Sequence, residues 1–149
     1  MLETLSREDA LLVLEDHQSR STHAGKVDDP EAQSLGYNPV CGDRYDVFIR
    51  MTGSRIEAVR YHGFGCVISR ASASMMARTL EEMTSDDAIT AIDGFRRAMR
   101  ENGAMPDEID PDVGALLGVR EHPSRLKCVL LPWHTAAAAL RGEAQATTE

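Results

Sequence analysis

Two β-rich runs constrain the fold more than any other feature of the chain: "DVFIRM" and "RIEAVRYHGF", separated only by Thr52, Gly53 and Ser54. Runs of this kind joined by a short glycine-containing link predict an antiparallel hairpin. The pattern then turns helical. "SRASASMMARTLEEM" places Ala73, Met76 and Leu80 on one face, with Ser69 as the expected N-cap. "AITAIDGFRRAMRENG" spaces Ile89, Ile92, Phe95 and Met99 in the same way, with Gly103 as its expected stop. Strands followed by helices predict an α+β fold, a small antiparallel β-sheet with helices packed on one face.

The flanking segments fit around this unit. Ser6, with Asp9 three positions on, opens a helix expected over about Arg7 to Gln18. The polar stretch from Ser19 to Asn38 reads as a surface loop. "AMPDEIDPDVGALLGVREHP" reads as a loop or insertion with one helical turn near Val113 to Leu117, and "WHTAAAALRGEA" supplies a terminal helix. Pro132 withholds an amide from the carbonyl of Cys128 and clashes with it, so that helix is expected to begin or kink at about Cys128. A chain of 149 residues suits a single domain, 1–149, with residues 1–5 and 143–149 frayed. At that length roughly 70% of the unfolded surface can be buried without disulfides.

Composition removes several classes of function. Sixteen basic against 24 acidic residues give a net charge of −8, with the basic residues scattered, which disfavours a phosphate backbone as ligand. Seven aromatic residues offer little for base stacking. No apolar run is long enough to span a bilayer and no signal-peptide order is present. The expectation is a soluble cytoplasmic protein that binds neither nucleic acid nor membrane. Three cysteines, an odd number separated by 25 and then 62 residues, make a poor disulfide framework and fit reduced thiols.

Those cysteines carry the chemistry. In "NPVCGDRYDVFIR", Cys41 and Asp43 share a face if the segment is extended. Cys66 in "GFGCVIS" lies beside a helix N-terminus, where free amides and the dipole favour a thiolate. Cys128 in "RLKCVLLPWH" falls at the helix boundary expected from Pro132. Three thiolates and one carboxylate suit zinc, and sulfur-rich sets also hold iron–sulfur clusters. Spacing does not choose between them, and three separate buried cysteines are the competing reading. His17, His23, His62, His122 and His134 share no short metal spacing, and His134 reads as a polar surface or satisfied core residue. Met75 and Met76 read as helix packing. Ser69, Ser72 and Ser74 lack an evident base partner for nucleophilic catalysis.

Together, "NPVCGD", "GFGCVISRASASMM" and "SRLKCVLLPW" resemble the IscU/SufU/NifU N-terminal family of iron–sulfur assembly proteins, over most of the chain from Asp16 and His17 onward. The sequence is most similar to the SufU branch. Lys127 stands where the IscU scaffold branch carries histidine, and "ENGAMPDEIDPDVGALL" resembles the insertion of SufU proteins. "EHPSRLK" stands in place of the "LPPVK" chaperone-docking motif of many IscU proteins. The resemblance implies a zinc site made by Cys41, Asp43, Cys66 and Cys128, with Arg125 and Lys127 as supporting residues. It also implies a sulfurtransferase role, in which Cys41 accepts persulfide sulfur from a SufS-type cysteine desulfurase for a downstream SUF scaffold. On docking, Cys41 is implied to leave zinc while the partner supplies a histidine. Gly42 would allow the turn between ligands, and Gly63 and Gly65 a close approach of the loop. The alternatives are a scaffold assembling a [2Fe-2S] cluster on the same residues, and a structural zinc-binding interaction domain.

Overall fold

The hairpin forms as the two runs dictate. In the computed structural model, which describes residues 5–147, β2 (Arg44–Thr52) pairs antiparallel with β3 (Arg55–Phe64), with a register irregularity at Arg50 and Met51. Residues 1–4 and 148–149, parts of the termini expected to fray, lie outside the described residues. Alternation sends Tyr45, Val47 and Ile49 of β2 and Ile56, Val59 and Tyr61 of β3 into the core. The stretch read as a loop contains a further strand, β1 (Ala32–Tyr37), antiparallel to β2. Its sequence AQSLGY has too few β-branched or apolar residues to announce a strand. Gly36 decides its packing, since a Cβ there would lie 1.7 Å from the Thr135 hydroxyl oxygen. The tail expected to fray instead yields β4 (Gln145–Thr147), parallel to β1, completing the order β3-β2-β1-β4.

Four α-helices accompany the sheet: α1 (Arg7–Arg20), α2 (Val67–Leu80), α3 (Ser85–Glu101) and α4 (Pro123–Leu140), with a 3-10 segment over Pro111–Glu121. Ser6 caps α1 and Thr84 caps α3 through side-chain oxygens. The α3 helix stops at Asn102 in the left-handed region, one residue before the expected Gly103. Cys66, not Ser69, is the N-cap of α2, because Ser69 already lies in the first turn and returns its hydroxyl to the Cys66 carbonyl at 3.1 Å. The α4 helix starts at Pro123, whose missing amide costs nothing at a first helical position, and runs through a buried Pro132. Packing on both flanks holds it there. Trp133 stacks on Phe95 of α3 with ring centroids 4.0 Å apart, and its Nε1 donates to Ser72 of α2 at 2.9 Å. Ser72 in turn donates to the Val129 carbonyl at 2.6 Å, which fixes the turn carrying Cys128 against α2. Met75 and Met76 are fully buried core residues, as their spacing indicates.

His134 on α4 does not fit the expected satisfied or surface histidine, for its Nε2 is buried without a hydrogen-bond partner. Burial, then the charges of Arg100, Arg96 and Arg141, push its pKa down to about 4. Since an imidazole in the unfolded chain titrates near ~6.5, the unfolded state binds the extra proton between these values. Stability should therefore be level in this respect above about pH 6.5 and fall toward pH 4, by on the order of 2–3 kcal/mol. Urea midpoints at pH 7.5, 5.5 and 4.5 test this. His134→Gln should lose that component of the slope, and an unchanged slope in the variant contradicts the assignment.

Candidate metal centre

The link between β1 and β2 brings the first two site residues together by a turn, not by strand alternation. Asn38 binds both ends of it, donating its amide to the Asp43 carbonyl at 2.9 Å and accepting from the Gly42 amide at 2.8 Å. Its side-chain oxygen also accepts from the Val40 amide at 3.1 Å. Gly42 makes the reversal with φ of 79°, a value that favours glycine. Cys41 is thereby left exposed at the bend while Asp43 turns inward, 5% exposed.

Cys128 meets this turn from the second turn of α4. Its Sγ lies 3.5 Å from that of Cys41, and one ligand atom each from Cys41, Asp43 and Cys128 fall within 4.8 Å of one another. Cys66 does not join that close group. It lines the same cavity, of about 580 Å³, together with Phe64, Gly65, Ser124 and Arg125. As the N-cap of α2 it makes no side-chain capping hydrogen bond, so its thiol is not committed to the helix end. The exposed Arg125 faces the cavity, whereas Lys127 is half-buried and does not line it.

Beneath the cavity, the Tyr45 hydroxyl and Ser69 Oγ lie 2.9 Å apart, and Ser69 reaches the Cys66 carbonyl. Burial raises the Tyr45 phenol far above its ordinary range, so it stays a neutral hydrogen-bonding group. Gly65 fits only as glycine: a Cβ would lie 2.2 Å from Ser69 Oγ, 2.8 Å from the Tyr45 hydroxyl and 3.0 Å from Asp43 Cγ.

The donor set fits a cation. Asp43 Oδ2 is buried with no hydrogen-bond partner, an expensive state for a carboxylate oxygen unless a positive charge faces it. Without such a charge, burial, the neighbouring Cys41 thiol and the negative charges of Asp43 and Cys66 push the Cys128 thiol well above its usual range. A metal ion reverses that preference, since it deprotonates a coordinating thiol outright. Two soft sulfurs beside a hard oxygen, with a third sulfur on the same wall, match zinc and also iron–sulfur ligation.

Sequence reasoning missed the exposed apolar residues that flank the site residues. Val40, Phe64 and Val67 are 71%, 64% and 45% exposed. The signal was present in Val40 beside Cys41 and Val67 beside Cys66. It also missed a basic partner for Ser74, whose Oγ lies 2.7 Å from His17 Nδ1, with Asp112 2.7 Å from Nε2. Ser74 and His17 are buried, and Arg78 pairs with Asp110 and Asp112 where a cation would otherwise sit. That cluster ties α1 and α2 to the 3-10 segment and exposes no nucleophile.

A family model described as NifU-like N terminal domain matches residues 12–116, a range that includes Cys41, Asp43 and Cys66. The chain is 34% identical over 133 residues to the zinc-dependent sulfurtransferase SufU of Bacillus subtilis (strain 168), covering 89% of this chain and 86% of that protein. It is 33% identical over 138 residues to the iron-sulfur cluster assembly scaffold protein IscU of Streptococcus pyogenes serotype M1, covering 91% and 85%. Among solved structures it is similar to a putative iron-sulfur cluster assembly scaffold protein for the SUF system from Fervidobacterium islandicum AW-1. That likeness has a TM-score of 0.79 at 27% identity, over 86% of this chain and 93% of that one. With a cysteine–aspartate site at the meeting of turn and helices, and relatives of both kinds over nearly its whole length, the chain belongs to the IscU/SufU/NifU N-terminal family of iron–sulfur cluster assembly proteins.

Proposed function

We propose that the protein is a zinc-dependent sulfur acceptor that takes persulfide sulfur from a cysteine desulfurase. The observation that carries this reading is the asymmetry of the site. Cys41 is exposed at a bend while Asp43 and Cys128 are buried behind it, so one thiol can react while the others stay in place. Asp43, Cys66 and Cys128, with Cys41 in the resting state, would hold zinc. When bound, zinc supplies positive charge that keeps thiols at the site as thiolates at neutral pH.

Cys41 is the acceptor. Its thiolate attacks the outer sulfur of the partner's cysteine persulfide, forming a new S–S bond as the partner's own S–S bond breaks and its thiolate leaves. Oxidation state and charge balance, because one persulfide and one thiolate are exchanged for another pair. Phe64 on the cavity wall, with Val40 and Val67 exposed next to Cys41 and Cys66 in the chain, offers apolar surface suited to a docked protein, and Arg125 offers a cation to the incoming persulfide.

The scaffold reading has its own support in the relative from Streptococcus pyogenes. Elemental analysis and a visible spectrum of freshly purified protein separate the two. Colourless protein with about one zinc per chain is the expected result, four protein ligands being the usual zinc complement. Brown protein carrying matched iron and sulfide overturns it in favour of a [2Fe-2S] scaffold.

A further inference from the structure

Two of the three thiols stand side by side in the metal-centre cavity. Cys41 Sγ lies 3.5 Å from Cys128 Sγ, although 87 positions separate them in the chain. To form a disulfide of about 2.0 Å the sulfurs need to approach by only about 1.5 Å. Cys128 supplies the fixed side. It is buried in α4, and its thiol donates to the Ser124 carbonyl one turn back at 3.7 Å. Cys41 supplies the movable side, exposed at a bend whose hydrogen bonds run through its neighbours Asn38, Val40, Gly42 and Asp43. Cys66, at the start of α2, stays outside the group whose ligand atoms all lie within 4.8 Å of one another.

We propose that Cys41 and Cys128 are an oxidative modification site, joined by hydrogen peroxide into a reversible intramolecular disulfide. Cys41 reacts first, because it is the thiol open to solvent. Its sulfur takes one oxygen atom from the peroxide and becomes a sulfenic acid, and one water is released. The Cys128 sulfur then attacks the Cys41 sulfur, and the S–O bond breaks. The departing hydroxyl leaves with the Cys128 proton as a second water. Two thiols thus lose two electrons, and one peroxide is reduced to two waters. With the second thiol 3.5 Å away, the sulfenic acid is captured before further peroxide carries it to the irreversible sulfinic acid. The bridge itself needs only these two side chains. Its consequence rests on the function proposed above: it takes up the acceptor thiol and two of the sulfurs that would hold zinc, so a bridged chain would accept no sulfur until a dithiol reductant reopens it.

The test is treatment of the full chain with hydrogen peroxide in the presence of a chelator, followed by thiol counting and peptide mapping without reductant. Free thiols should fall from three per chain to one, and the mapped bridge should join Cys41 to Cys128 within a single chain. Dithiothreitol should then restore all three. Cys66→Ser, which leaves the pair intact, should form the bridge as the wild type does, whereas Cys41→Ser should not form it. None of these readouts involves sulfur transfer. A chain that forms the bridge yet accepts no persulfide sulfur when reduced therefore upholds the site and refutes only the assigned function. A bridge that uses Cys66, a bridge between chains, Cys41 recovered as sulfinic acid beside a free Cys128, or three thiols unchanged by peroxide overturns the proposal.

Discussion

Cys41→Ala is expected to lose sulfur acceptance by at least about a hundredfold while keeping about one zinc per chain, because the thiolate is the nucleophile in exchange and no other group replaces it. The proposed roles place these two properties on different residues. Asp43 is buried, Cys128 is fixed within α4 by the Ser72–Val129 contact, and Cys66 caps α2, so each of the three residues proposed to hold zinc without Cys41 is anchored independently of it. Cys41 sits alone at the outer bend of a turn whose hydrogen bonds engage Asn38, Val40, Gly42 and Asp43. Its side chain can therefore rotate without unmaking the turn. Mass spectrometry after incubation with desulfurase and cysteine measures the added sulfur, and elemental analysis the metal. Sulfur found on Cys66 or Cys128 of the variant at wild-type rates would falsify the assignment of Cys41. Loss of zinc together with activity would instead make Cys41 a structural ligand first.

The parts of the fold that were legible in the sequence are those whose local preference agrees with their tertiary surroundings. The hairpin, α2 and α3 have strong periods and sit where those periods direct them. The departures share a physical cause. β1 and β4 are polar strands formed by pairing with neighbours, a non-local stabilisation that a short window cannot register. Pro132 reads as a helix breaker, yet packing of α4 against α2, α3 and the sheet exceeds the local cost. In the site, the residue types were readable from the three cysteine motifs, but their arrangement was not. Cys41 and Asp43 converge through the positive φ of Gly42 and not through strand alternation, and Cys66 stands apart from the close group of Cys41, Asp43 and Cys128. The depressed pKa of His134 depends on its burial and on where three arginines from two segments come to rest, which no local pattern encodes.

Removal of metal should lower the melting temperature of the wild type by at least about 10 °C, and Cys128→Ala should melt at the chelated value whether or not chelator is added. The size follows from what the site joins. Ligand binding energy at a structural metal is folding energy, and for a domain of about this length each kcal/mol moves the midpoint by roughly 2–4 °C. Cys41 and Asp43 belong to the β1–β2 turn, Cys66 to the start of α2 and Cys128 to α4, so one ion would pin three separate elements. Complete unfolding is not expected, because Trp133, Phe95, Leu130, Met75 and Ile49 form a core that does not depend on the site. The competing reading, Cys128 as a small core residue, makes a different forecast. Removing one buried thiol sulfur would then cost about 1 kcal/mol, and the variant would keep the wild type's full response to chelator. Thermal scans of both proteins with and without chelator therefore decide the matter, and a chelator-sensitive Cys128→Ala removes Cys128 from the metal site.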